Sequence, residues 1–397
     1  MRRKGITAVA ITVAAMSVAA TLSSAAASSP TEPGPSAAVA ERVPPNAEAI
    51  REAMAGLPSA EATAAQVRLG GKGGRWSGTS GEADIRTHRA PKGDERFRAG
   101  SITKTFTAAV VLQLAHEGKL KLDGTVQHYL PGLLPAGYPE IRISQLLNYT
   151  SGLPSAGLPA DFDWQYAHRF TAWDHRELVR RAVGRPMEFT PGTRQHYSNI
   201  GYNVLGLIIE EVTGRSYERE VRDRVIEPAG LENTYSAGDD PRIRGRHTRG
   251  YQTVKAGDGS SRLVDVTEWN QSITWASGDL VTTTADLERF SSALFRGRVV
   301  PKPELKLMFT VPDVPVHNPD GDPAEDEKAT HTSGLTRVEV GKTVVYGKTG
   351  GRYGYLNGFG ATEDLSRTLV YSVNSTDAKS ETPTAVVGRI IEAGFRE

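Results

Sequence analysis

The 397-residue chain contains no cysteine. This absence excludes disulfide bonds, thiolate nucleophiles and zinc or iron–sulfur sites built on cysteine. An excess of one charge is also absent, because 47 lysines and arginines are balanced by 46 acidic residues, a net charge of +1. Such a balance gives no electrostatic reason to expect a nucleic-acid partner. The nine histidines show no His-Glu-x-x-His spacing, so we expect no metal site.

Long apolar runs are missing except at the N-terminus. The run at residues 5–22 follows three cations and precedes small residues. This order is typical of a secretory signal peptide, whereas a membrane-spanning helix would be longer and less rich in alanine. We expect cleavage after Ala27, which makes residues 1–27 a signal peptide, and a secreted protein without a stable membrane anchor. Residues 28–45 are rich in Pro, Ala, Ser and Glu and are predicted to form a linker.

Hydrophobic periodicity predicts an α+β fold. Alternating patterns at 66–80 and 337–373 predict strands, and neither group is large enough to be stable alone. We therefore expect them to share one antiparallel sheet, flanked by an N-terminal and a C-terminal helix. Helical signals dominate the middle of the chain, which favours an inserted helical domain. The predicted organisation is one domain at 46–397, with α/β parts at 46–122 and 265–397 and a helical insertion at 123–264.

Ser101-Ile102-Thr103-Lys104 stands at the start of a helix that is apolar on every side. Residues three apart share a helical face, so the Ser101 hydroxyl and the Lys104 amine can meet. A serine becomes a good nucleophile when a neighbouring base takes its proton, and burial lowers the pKa of a lysine. A Ser-x-x-Lys pattern occurs by chance about once in a chain of this size. A capping serine and a solvated lysine would be the plain alternative, but this helix offers no solvated face.

Two further motifs carry groups suited to the same chemistry, Tyr197-Ser198-Asn199 and Lys348-Thr349-Gly350-Gly351. A phenol held among cations can carry protons, and an amide can contact both a substrate carbonyl and a lysine. The lysine of the third motif supplies positive charge, and its glycines let a substrate backbone approach the strand edge. A second Tyr-x-Asn pattern at 355–357 is interpreted as part of a strand.

The order of these three motifs resembles the serine β-lactamase-like or penicillin-binding superfamily. The resemblance is to the branch with class C β-lactamases and actinobacterial extracellular D-alanyl-D-alanine carboxypeptidases. Flanking segments at 97–100, 111–122 and 275–278 extend it, and it covers the chain from about Glu48 onward. It implies the β-lactamase/transpeptidase-like fold and an acyl-enzyme mechanism without a cofactor.

The resemblance also implies roles for individual residues. Ser101 would be the acylated nucleophile, Lys104 its partner, and Tyr197 the general base and acid. The N–H groups of Ser101 and Gly351 would form the oxyanion hole. Lys348 would hold the substrate carboxylate with Thr349 and would lower the pKa of Tyr197. Trp275 would wall the cleft, and Arg337 would help to bind the carboxylate. The implied substrate-binding set is Asn199, Lys348, Thr349, Gly350, Gly351, Trp275 and Arg337.

The expected function is that of a secreted, monomeric D-alanyl-D-alanine carboxypeptidase that acts on peptidoglycan stem peptides and is acylated by β-lactams. Two positions depart from the carboxypeptidases, which often have His where Lys348 stands and Thr where Gly351 stands. Both departures concern the choice of substrate. Alternatives are therefore a class C-like β-lactamase, an esterase or D-amino-acid amidase, and, more remotely, a non-catalytic binding homologue.

Overall fold

The structure is a computed structural model that describes residues 44, 46–318, 327–380 and 384–395. The predicted signal peptide and, apart from Pro44, the predicted linker lie outside the described residues. Across the described part of the chain, every helix is too short or too polar to cross a bilayer.

The strands of the described chain are short except in one sheet. Six of them form an antiparallel sheet in the order β2-β1-β11-β10-β9-β8, β3-β7-β4 form a small second sheet, and β5-β6 form a hairpin. The bounds are β1 Ala62–Gly71, β2 Trp76–Gly81, β3 Phe97–Arg98, β4 Tyr235–Ser236, β5 Tyr251–Lys255, β6 Ser261–Asp265, β7 Leu280–Thr282, β8 Thr336–Val340, β9 Thr343–Arg352, β10 Tyr355–Ala361 and β11 Arg367–Ser375.

The main sheet joins the two ends of the chain, as the sequence predicts. β1 pairs with β11 in antiparallel register, with Val67 opposite Tyr371. The period of two separates its faces: Val67 and Leu69 belong to one hydrophobic cluster, whereas Phe359 and Val370 belong to another. Both faces are therefore covered, and the predicted α+β class with an antiparallel sheet is confirmed.

Helices cover both faces of this sheet. α1 and α11 share one cluster with β1 and β11, while α2 and α9 pack on the opposite face. The helix bounds are α1 Ala47–Ala53, α2 Thr103–His116, α3 Val126–Tyr129, α4 Ile143–Leu147, α5 Phe162–Ala167, α6 His175–Val183, α7 Asn199–Thr213, α8 Tyr217–Val221, α9 Thr284–Phe295, α10 Lys302–Leu305 and α11 Ala385–Phe395.

α2 is the central helix of the molecule. Every residue from Thr103 to Leu112 is buried, and Leu114 is buried as well. An apolar sequence without a polar face can only be stable when neighbours surround it. The structure supplies them: the main sheet and α9 on one side, and α7 on the other. The prediction that this helix has no solvated face is confirmed.

α7 begins earlier than its hydrophobic period indicates. The apolar pattern predicts a start at Asn203, but the helix begins at Asn199. Ser198 is its N-cap, since the Ser198 hydroxyl accepts a hydrogen bond from the backbone N–H of Gly201 at 3.1 Å. A capping serine satisfies one of the free N–H groups of a first turn. The cap places Tyr197 and Asn199 at the end of α7 that faces α2.

Candidate active site

Ser101 lies in a tight turn, Gly100–Ile102, that leads directly into α2. This turn presses against β9. A β-carbon at Gly350 would lie 1.9 Å from the carbonyl oxygen of Ala99 and 3.0 Å from the backbone nitrogen of Ser101. Gly100 adopts φ +55°, and a β-carbon there would lie 2.9 Å from the backbone nitrogen of Gly351. Only glycine permits this approach, which brings the two predicted oxyanion donors, the N–H groups of Ser101 and Gly351, into one region.

Lys104 is completely buried, and its amine joins the first two motifs. The Lys104 Nζ lies 2.7 Å from the Asn199 Oδ1, 2.7 Å from the Ser277 carbonyl oxygen and 3.3 Å from the Ser101 Oγ. Two of these partners can only accept. A neutral amine would give them its two hydrogens, which leaves its lone pair directed at the serine hydroxyl.

The surroundings of Lys104 favour this neutral form. Burial lowers the pKa of Lys104 well below its ordinary value, and the nearby cations Lys348, Lys379 and Arg352 lower it further. A lowered pKa favours the neutral amine, which is the form that can accept the Ser101 proton. The contacts of Lys104 and the direction of its pKa shift both suit this amine to receive the Ser101 proton.

Tyr197 packs between the two lysines. Its ring centroid lies 4.8 Å from the Lys104 Nζ and 4.9 Å from the Lys348 Nζ. Its buried hydroxyl lies beside Ser101 and makes no well-formed hydrogen bond to any described residue. Burial raises the pKa of Tyr197 well above its ordinary value. Burial is the main cause of this shift, and the expectation that Lys348 lowers the pKa stays a prediction. Tyr197 is a phenol that can donate a proton to a departing amine.

Lys348 and Thr349 lie inside β9, which continues to Arg352. The Lys348 side chain is only 4% exposed, and its Nζ makes one long contact, 3.4 Å, to the Thr349 carbonyl oxygen. β8 pairs with β9 only as far as Gly347. The stretch that follows is a strand edge beside Ser101, and an extended substrate can pair with such an edge.

The ionisation of Lys348 predicts how substrate binding depends on pH. Burial lowers its pKa to about 8. Its ammonium form attracts a carboxylate, so above pH 8 the KM of a carboxylate-bearing substrate should rise, approaching about tenfold for each pH unit. Initial rates between pH 7 and 10 check this, with an N-acetyl-D-amino-acid amide, which carries no charge, as the control. A KM that stays constant for the carboxylate substrate would contradict the assignment.

Trp275 does not wall the cleft, and that expectation is wrong. The side chain is 1% exposed. Its Nε1 donates to the Glu218 Oε1 at 2.8 Å, and its ring stacks on His175 at 3.9 Å. The same ring lies against Gly206 of α7, where a β-carbon would be 2.7 Å away. The residue that reaches the site from this turn is Ser277, through its carbonyl oxygen.

Core burial of Trp275 predicts a stability effect in place of a substrate effect. Trp275→Ala should lower the free energy of unfolding by about 3–5 kcal/mol, and Trp275→Phe by less. The KM of Trp275→Phe should stay at the wild-type value because the ring does not touch substrate. Urea titration and initial rates measure the two quantities. A severalfold change in KM without loss of stability would restore the cleft-wall role.

Arg337 lies on β8 and pairs with Glu339 at 2.8 Å. In the strand register it is opposite Tyr346, one strand outward from the motif. The Arg337 guanidinium is thus paired with Glu339 and lies apart from the group formed by Ser101, Lys104, Tyr197 and Lys348. Its role toward a substrate carboxylate stays a prediction. The second Tyr-x-Asn pattern, at 355–357, lies on β10, as expected.

Two residues near the site, His331 and Arg352, lie outside the three sequence motifs. The His331 ring packs 5.5 Å from that of Tyr197, and burial together with Lys348 lowers the pKa of His331 to about 3, so it is neutral. No local pattern around His331 marks it. Arg352, discussed below, follows the third motif on the same strand, and the period of two would have placed it on the face of Lys348.

A family model described as Beta-lactamase matches residues 46–389. The chain belongs to this family. Within it, the geometry of Ser101, Lys104, Tyr197 and Lys348 fits the serine acyl-enzyme hydrolases.

Solved structures of the same fold cover nearly the whole described chain. A D-stereospecific amidohydrolase from Streptomyces sp. is 30% identical with a TM-score of 0.74, over 88% of this chain and 98% of that one. The D-amino acid amidase of Ochrobactrum anthropi SV3 is 26% identical with a TM-score of 0.74, over 87% and 97%. Penicillin-binding protein 4* of Bacillus subtilis is 28% identical over 58% of this chain and 51% of its own length. The chain spans about half or less of the curated relatives it matches.

Proposed function

We propose that this member of the Beta-lactamase family is a secreted serine D-alanyl-D-alanine carboxypeptidase that trims peptidoglycan stem peptides. The proposal depends on one observation: the Lys104 amine lies 3.3 Å from the Ser101 Oγ and makes its two shorter contacts to Asn199 and Ser277. A base held at that place by two carbonyl oxygens supports nucleophilic catalysis by the serine. Export, with cleavage after Ala27, is part of the same proposal.

Acylation would begin with proton transfer from the Ser101 hydroxyl to the Lys104 amine. The serine oxygen bonds to the carbonyl carbon of the penultimate D-alanine, and the N–H groups of Ser101 and Gly351 stabilise the oxyanion. The C–N bond then breaks, and the leaving amine takes a proton through the phenol of Tyr197. Lys104 returns its proton to Tyr197, so free D-alanine and a serine ester remain.

Deacylation reverses the roles of the same groups. Water gives a proton to the Lys104 amine and attacks the ester carbon, and Ser101 leaves with a proton. A β-lactam would follow the first half of this path, because its strained amide opens on Ser101. Its nitrogen stays tethered to the acyl group, which leaves an adduct with the full mass of the drug.

A second candidate is D-amino-acid amide hydrolysis on the same groups. The 30% identity to a D-stereospecific amidohydrolase over most of the chain favours it. Gly351 also favours it, because glycine offers no hydroxyl for a terminal carboxylate. A class C-like β-lactamase is the remaining alternative, and it differs in the speed of the water step.

One set of assays separates these functions. The carboxypeptidase predicts release of D-alanine from diacetyl-L-lysyl-D-alanyl-D-alanine, with little ammonia from D-phenylalanine amide and slow turnover of nitrocefin. Preferred turnover of the amide would replace the proposal by the amidase, and fast nitrocefin turnover would replace it by the β-lactamase. The Ser101→Ala variant provides the background rate for each substrate. No turnover above that background for any substrate would favour a binding homologue.

A further inference from the structure

Arg352 continues the line of site residues along β9. Side chains on a strand alternate, so Lys348, Gly350 and Arg352 share one face. Gly350 contacts the Ser101 turn. Lys348 and Arg352 are therefore on opposite sides of the nucleophile, each about 7 Å along the strand from Gly350.

Arg352 is a buried cation without a partner. It is 8% exposed, and its Nε has no hydrogen-bond partner. Across the described residues, no hydrogen bond or ion pair to its guanidinium is found. Its neighbours are the Trp269 ring, 5.9 Å away, and the cation Arg98. An unpaired buried charge is costly, so its retention at this place calls for a ligand that pairs with it.

Lys379 adds a second cation at the same end of the site. Its Nζ donates to the Gly351 carbonyl oxygen at 3.1 Å. The residue is exposed, but its amine loses water beside the strand edge and Arg352, which lowers the pKa of Lys379 to about 7. Lys379 and Arg352 both lower the pKa of Lys104 beyond the effect of burial. Positive charge is thus concentrated on this side of Ser101.

The acidic groups of this region are already engaged. Burial raises the pKa of Tyr353, and the nearby carboxylates Asp161 and Asp377 raise it further. However, Asp161 caps α5 by accepting from the Trp164 N–H at 2.8 Å, and Asp377 accepts from the Gln252 amide at 3.1 Å. Neither carboxylate makes an ion pair with Arg352 in the described structure.

We propose that Arg352 and Lys379 form an anion subsite for the acyl part of the substrate, on the opposite side of Ser101 from Lys348. The inference rests on the proposed acyl-enzyme function and names its substrate class: a D-residue whose N-acyl group carries a carboxylate. The same charges repel the free α-ammonium of a simple D-amino-acid amide.

Three penicillins test the subsite directly. Benzylpenicillin, carbenicillin and ampicillin share the penam nucleus and a phenylacetyl side chain, and differ at its α carbon by hydrogen, carboxylate or ammonium. The rate of Ser101 acylation, followed by intact mass, should be at least about tenfold higher for carbenicillin than for ampicillin, with benzylpenicillin between them, at low ionic strength. Added salt should reduce the difference in acylation rate between the three drugs.

Variants assign this order to the two cations. Arg352→Gln should remove most of the rate difference between the three drugs, and Arg352→Lys should keep part of this difference. Lys379→Gln, at an exposed residue, should reduce the difference without loss of folding. Lys342→Gln, at the exposed turn between β8 and β9, is the control and should leave it unchanged. Acylation by all three drugs at equal rates, or a charge order that survives both substitutions to glutamine, overturns the subsite alone. A failure of all three drugs to acylate overturns the proposed function and the subsite with it.

Discussion

Alanine in place of Ser101 should abolish covalent capture of a penicillin. The wild-type protein, incubated with benzylpenicillin, should gain the full mass of the drug, because ring opening leaves every atom of the β-lactam on the enzyme. Ser101→Ala should show no gain, since the adduct bond runs through the serine oxygen. Intact-mass spectrometry distinguishes the two results without knowledge of the natural substrate.

Loss of the Ser101 hydroxyl should leave the fold unchanged. Its Oγ contacts the Lys104 amine at 3.3 Å, and that amine keeps two shorter contacts, to Asn199 and Ser277. Thermal melting of Ser101→Ala should therefore match the wild type, which makes a missing adduct a chemical result. Equal labelling of both proteins would remove Ser101 from the mechanism, and an unlabelled wild type would remove the mechanism itself.

Methionine in place of Lys104 should slow acylation by about 10²–10⁴-fold. Methionine has nearly the shape of lysine but no base, so the Ser101 proton has no acceptor at 3.3 Å. Lys104→Arg should be equally slow, because a guanidinium keeps its proton at any working pH. The rate of adduct formation by intact mass measures the loss. Lys342→Met, which changes an exposed lysine, should react like the wild type.

The pH dependence of acylation distinguishes the base role of Lys104 from a purely structural one. Burial and three neighbouring cations lower the pKa of Lys104. In the wild type, the rate of acylation should therefore fall as acid protonates the amine. The acid limb of the pH–rate profile should lie well below the ordinary pKa of a lysine. Lys104→Met should lose this limb along with the rate. If Tyr197 were the base, the limb would survive in Lys104→Met, and the assignment to lysine would fail.

Local patterns along the chain were enough to predict the strands of the main sheet and the central helix α2. The period of two in β1, β9, β10 and β11 separates the two faces of the main sheet, and the all-apolar stretch of α2 reports burial on every side. The i, i+3 spacing of Ser101 and Lys104 also survives folding, because a helix sets the distance between its own residues. These features depend on neighbours a few residues away.

Other features depend on neighbours far along the chain. The indole of Trp275 was assigned to the cleft by resemblance, but Glu218 and His175 hold it in the core. Burial raises the pKa of Tyr197, and the amount of burial is not written in the motif. His331 reaches the site without any motif of its own.

The sequence by itself determined which groups are present: a serine and a lysine on one helical turn, a tyrosine beside a helix start, and a lysine followed by glycines on a strand. Only the tertiary structure decided which of them meet and in what protonation state, because both depend on long-range packing and on exclusion of water. It alone showed Arg352 buried without a partner, since the cost of a buried charge arises only once the surrounding chain has closed around it.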